Sequence, residues 1–107
     1  MTAPNHNTHL ADALGTHGIS VVTAGHDHAN EYCMLQDIKK HDMWMCFGGG
    51  AGFGGYGGYG GYQRRVRMFE IKPAARSITT WKRVEGNVDE IFEEQTLVMS
   101  GKAVGLD

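Results

Sequence analysis

The sequence predicts an α/β chain: one helix near the N-terminus, then mainly antiparallel strands. Three observations predict it. THLADALGTH (residues 8–17) places Leu10, Ala13, Leu14 and His17 at helical spacing. ISVVTA (residues 19–24) is a short β-branched run unbroken by charge, which suits a strand buried on both faces. RRVRMFEI (residues 64–71) and SITTWKRV (residues 77–84) alternate on either side of KPAAR, a hairpin loop holding Pro73.

In chain order, residues 1–7 are polar and lack periodicity. Asn7 or Thr8 can cap the helix and Gly18 can end it, while Gly15 inside it is unfavourable. The buried strand leads directly into GHDH, residues 25–28. In open α/β sheets ligand sites collect beyond the carboxyl ends of strands, which is where these histidines stand. CMLQDIKKHD (residues 33–42) reads as a turn or irregular connection, and MWMCF (residues 43–47) as an apolar strand. GGGAGFGGYGGYGGY (residues 48–62) has ten glycines in fifteen residues. In the hairpin, Val66 and Met68 face one way and Phe69 and Ile71 the other. Asn87 with Glu90 resembles a capping box, and Val88, Ile91 and Phe92 share a helical face, predicting a short helix. TLV (residues 96–98) reads as a last strand and the remainder as a frayed tail.

A length of 107 residues allows one domain or a piece of one, and 41% hydrophobic residues allow a modest core. A formal charge of −2 and a pI near 6.3 give no bulk attraction to nucleic acid or a membrane surface. No segment has the roughly eighteen uninterrupted apolar residues of a membrane helix. MTAPNHNTHL lacks the basic and apolar regions of a signal peptide, which favours the cytosol if the chain is complete. Two cysteines, Cys33 and Cys46, are too few for a disulfide scaffold and are expected as free buried thiols.

His26 and His28 are the candidate metal ligands. Along an extended chain residues i and i+2 point the same way, and neutral imidazole is a common ligand for zinc and related ions. Asp27 between them would orient an imidazole or face water. Three readings follow. H-x-H in a loop is often only a polar turn. A self-contained zinc site would need four ligands from His26, His28, Cys33 and Cys46, with His41 as a substitute, but the spacing matches no common finger. His6, His9 and His17 add only to the count, and His17 can interact with the helix dipole. A third reading takes Tyr56, Tyr59 and Tyr62 with Arg64, Arg65 and Arg67 as a stacking surface for single-stranded nucleic acid. Ten basic residues against twelve acidic ones oppose it. The glycine run is not a P-loop, since no Gly-Lys-Ser/Thr follows.

GHDHANEYC, then WMCFGGGAGFGGYGGYGGYQRRVRMFEI, then ITTWKRVEG together resemble the C-terminal part of the calcineurin-like metallophosphoesterases, in the purple-acid-phosphatase-like branch. The resemblance runs from about Ala3 to Val98. It implies the last portion of a four-layer α/β/β/α sandwich (α+β as a fragment), with residues 1–107 a partial domain and residues 48–62 a Gly/Tyr-rich loop within it. The function implied is phosphate-ester hydrolysis at a dinuclear centre of divalent or mixed-valence ions such as Fe, Zn, Mn or Mg. By the same resemblance Gly25-His26-Asp27-His28 matches the family's last G-H-x-H loop, with His26 on one metal and His28 on the other, and Cys33 no longer a candidate. The family's D-x-H, G-D-x-x-D and G-N-H-D/E motifs are not in this sequence. Its further metal-binding histidine lies upstream of this chain's span and is not carried over to His6, His9 or His17. The implied partners are a phosphate-ester substrate and the missing N-terminal part of the domain, with no nucleic acid or membrane. The chain alone is expected to be inactive.

Overall fold

Two sheets meet across the side chain of Trp44, which is 1% exposed. The structure, a computed structural model, describes residues 6–28, 30–52 and 63–105. The described residues are mostly strand with one short helix, α1 (Leu10–Thr16). The strands are β1 (Val21–Ala24), β2 (Cys33–Ile38), β3 (His41–Phe47), β4 (Arg65–Lys72), β5 (Ser77–Val84), β6 (Asn87–Met99) and β7 (Lys102–Ala103). One sheet has the order β1-β3-β2 and the other β4-β5-β6-β7. Among the described residues β1 and β3 pair in parallel and the other ladders are antiparallel.

The helix forms where the apolar spacing predicts it, but its cap differs. His9 is the N-cap residue, left-handed at φ 61, and Asn7 Oδ1 accepts from its backbone N–H. Gly15, unfavourable by propensity, is the buried residue of the helix. A Cβ there would lie 2.6 Å from Ile38 O, so glycine lets α1 lie against β2.

Strand β1 starts within the β-branched run, yet it is not buried on both faces. It lies at a sheet edge, with Val21 and Val22 half-buried and Thr23 and Ala24 exposed. Strand β3 is central in the three-stranded sheet and carries the buried Met43, Trp44 and Cys46. Trp44 and Cys46 pack with Leu97 and Val98 of the second sheet, flanked by Val21, Leu35, Phe69 and Ile78. Trp44 Nε1 donates to Val104 O at 3.2 Å, which satisfies the one polar atom of a buried indole.

Four expectations are corrected. Residues 33–38 are strand β2, turning into β3 at Lys39 and Lys40, both at positive φ (55 and 62). Two consecutive left-handed residues match the twist of a tight hairpin, a geometry these lysines do not advertise. The cysteines are not free thiols: Cys33 and Cys46 form a disulfide. The helix expected over residues 87–92 is part of β6, because pairing with β5 supplies backbone partners along its length. Val88 and Ile91 are exposed, so the apolar spacing there buries no helical face. The tail turns at Ser100 and Gly101 into β7, and Val104 N–H donates to Leu97 O at 2.9 Å.

Candidate functional site

The loop that carries His26 and His28 is the crossover between β1 and β2. Since β3 lies between those strands, the loop arches over the carboxyl end of β3. Its feet are tied to successive residues of the chain leaving β3. Gly48 N–H donates to Ala24 O at 3.3 Å on one side, and Gly49 N–H donates to Asn30 O at 3.1 Å on the other. Phe47 N–H continues the second seam to Tyr32 O at 2.9 Å, and the Tyr32 and Phe47 rings lie 5.6 Å apart. The first glycines of the Gly/Tyr-rich run are therefore ordered partners of the histidine loop. Gly49 has φ 77, and a Cβ there would meet Arg65 Cγ at 3.1 Å, so the position requires glycine.

Within the arch the chain is turned rather than extended, so alternation does not set the directions of the two imidazoles. His26 has φ 73, and Asp27 N–H donates back to Gly25 O at 2.9 Å around it. A left-handed non-glycine residue is uncommon and costs about 1–3 kcal/mol. Asp27 is buried at 8% exposure, and its carboxylate accepts from Asn30 Nδ2 at 2.7 Å. Asn30 N–H also donates to Asp27 O at 3.2 Å. Asp27 thus fastens the inside of the turn, while His26 is exposed and His28 half-buried on either side of it.

Beneath the arch lies a charged layer that sequence reasoning missed. Arg67 donates from Nε to Phe47 O at 2.9 Å, from Nη1 to Thr80 Oγ1 at 3.1 Å and from Nη2 to Glu31 O. Thr80 Oγ1 in turn donates to Met68 O at 2.8 Å. Arg65 pairs with the Glu31 carboxylate at 2.9 Å. The buried Lys82 pairs with Glu93 and lies 3.8 Å from Glu31. Burial pulls the Arg67 pKa below its ordinary value, opposed by the nearby charges of Glu93 and Glu31. A signal was present: Arg65, Arg67 and Phe69 recur at period two, putting two guanidiniums on the core-facing side of a strand.

The other candidates do not assemble. Cys33 and Cys46 are bonded to each other, which removes both thiolates from a zinc set. His41 lies at the far end of β3, its Nε2 2.9 Å from Ile19 O. Among the described residues no group of three or more His, Cys, Asp or Glu side chains could hold a metal. Two imidazoles are the right donor type for a transition metal and too few to complete its coordination. Tyr56, Tyr59 and Tyr62 lie outside the described residues, and Arg65 and Arg67 are engaged within the protein. Among the described residues no helix is long and apolar enough to cross a membrane.

Comparison with known proteins gives phosphatase-related similarity. Over 98 residues, 92% of the chain, it is 44% identical to Phosphatase DCR2 of Saccharomyces cerevisiae, covering 17% of that protein. It is 32% identical over 94 residues, 84% of the chain, to Protein SIA1 of Kluyveromyces lactis, covering 15% of that protein. It is 34% identical over 82 residues, 68% of the chain, to Probable inactive purple acid phosphatase 28 of Arabidopsis thaliana, covering 19% of that protein. The chain thus spans less than a fifth of each of these relatives. No family model and no solved structure matches it.

Proposed function

We propose that this chain is the C-terminal portion of a metal-dependent phosphoesterase domain and supplies one ligand loop to a dinuclear centre. The observation that carries the reading is the arch itself. Two histidines stand on a strained, fastened turn at the carboxyl end of a strand, in a chain similar to a named phosphatase. His26 would hold one ion and His28 the other, with the remaining ligands supplied by sequence outside this chain. When bound, such ions polarise a phosphate ester and lower the pKa of water enough to make it a nucleophile near neutral pH. The chain's own part is to present two imidazoles from a fixed turn, with Asp27 and Asn30 holding the backbone between them. The substrate class is a phosphate ester, and the completed domain would be the four-layer sandwich. The apolar hollow lined by Leu10, Leu14, Val22, Met34 and Met45, together with the edge of β1, is the surface against which the rest would pack. Leu10 is 63% exposed there.

Two measurements test the reading. The transcript upstream of Met1 should encode, in frame, D-x-H, G-D-x-x-D and G-N-H-D/E; a stop codon directly upstream with no such motifs would overturn it. The purified chain should not hydrolyse p-nitrophenyl phosphate. In the longer product, His28→Ala should remove more bound metal than the roughly 10–100-fold affinity loss caused by changing an outer-sphere partner. Metal content is the decisive readout, because one relative carries the name of an inactive phosphatase.

A further inference from the structure

Resting on that reading, we propose that Arg67 is the positioning residue of the histidine loop: its guanidinium locks the arch to the root of the glycine run and so fixes where His26 and His28 stand. The three acceptors of the fork belong to three separate segments. Phe47 O is the last carbonyl of β3, from which Gly48 and Gly49 go on to hold the feet of the arch. Glu31 O belongs to the chain leaving the arch, one residue after Asn30. Thr80 Oγ1 belongs to β5 in the other sheet. One rigid planar group thus sets the separation of the arch, the glycine root and the second sheet. The Glu31 carboxylate is held from the same side by Arg65, so both the backbone and the side chain of Glu31 are fastened to β4. Lysine cannot reproduce this, since it offers one compact ammonium where three divergent acceptors need a fork. Around Arg67 the charges are Glu31 and Glu93 against Arg65 and Lys82, so the layer balances without help from the histidines.

The test uses the full 107-residue chain, with amide exchange as the first readout and Co2+ as the probe ion. In Arg67→Lys the Gly48 and Gly49 amides should exchange about tenfold faster, the effect of losing a charge-assisted hydrogen bond behind them. The coupling constant that reports the positive φ of His26 should average, while the β4–β5 and β2–β3 amides stay protected. Co2+ broadening of the His26 and His28 imidazoles should then need about tenfold more ion. Thr80→Val removes the prong to β5 together with the Thr80–Met68 bond, touches neither Phe47 O nor Glu31 O, and should leave Gly48 and Gly49 protected. Unchanged exchange at Gly48 and Gly49 in Arg67→Lys would overturn the proposal, as would a loss of protection spread evenly through both sheets. Arg67→Ala is the stronger variant; should it not fold, Arg67→Lys decides. If Co2+ broadens His26 and His28 in the unaltered chain no more than His9 and His17, the ligand reading fails, and the amides still judge the clamp.

Discussion

Cys33 and Cys46 stand directly opposite one another in the β2–β3 ladder, with Cα atoms 4.1 Å apart, and their sulfurs are bonded. The bridge lies at the end of the ladder from which the arch and the glycine run emerge. It closes a short loop, since the cysteines are separated by 13 in sequence. Loops of that size contribute about 2–4 kcal/mol by restricting the unfolded chain. Reduction, or Cys33→Ala with Cys46→Ala, should lower the unfolding free energy by that amount in a denaturant titration. The chain unfolded without reductant should show no titratable thiol; finding two would disprove the pairing.

Gly15→Ala should destabilise the chain, reversing the usual order of helix propensity. On an open helix face alanine is better than glycine by about 1 kcal/mol. Here the added methyl would sit 2.6 Å from Ile38 O, and overpacking of this kind costs about 1–3 kcal/mol. Urea midpoints of Gly15→Ala and of Ala13→Gly, on the exposed side of the same helix, should both fall below that of the unaltered chain.

Stability should decline as pH falls through the acid range, in part because of Glu93. Its carboxyl is held below its ordinary pKa chiefly by the hydrogen bond from Lys82, aided by the charges of Lys82, Arg67 and Arg65 and opposed by burial. A carboxyl with a lower pKa folded than unfolded contributes fully above the unfolded value, and that contribution disappears as pH drops through the folded value. Urea midpoints followed from neutral pH to below about pH 4, the ordinary carboxylate range, should fall less steeply for Glu93→Gln. Parallel curves for the two proteins would contradict the assignment.

His26→Gly should make the chain more stable and deprive the loop of a ligand. The left-handed conformation costs an L-residue about 1–2 kcal/mol that glycine avoids, offset in part by glycine's greater freedom when unfolded. Thermal unfolding should shift upward. A lower midpoint for His26→Gly would mean that the imidazole itself stabilises the turn.

Much of the frame was legible in the residues, and the reasons for the failures are specific. ISVVTA, MWMCF and RRVRMFEI announced β1, β3 and β4 because β-branched and apolar runs match what a sheet buries. Strand β6 was hidden because Val88, Ile91 and Phe92 mimic a helical face, and only pairing with β5 decides between the two. Strand β2 was hidden by a turn built from two lysines, whose left-handed backbone is imposed by the hairpin. The bridge was hidden because opposition of Cys33 and Cys46 depends on that unread hairpin. His26 and His28 could be named from the sequence as candidates, whereas the contacts of Arg67 could not: they depend on three acceptors that only the tertiary fold brings together.

The arch also has a consequence for protein engineering. Both of its feet are held by main-chain groups, Ala24 O and Asn30 O, on neighbouring residues of one strand extension. Those two attachments do not read side chains, so the arch can be redesigned around the Asp27–Asn30 pair that fastens its turn, while the two sheets beneath keep their register.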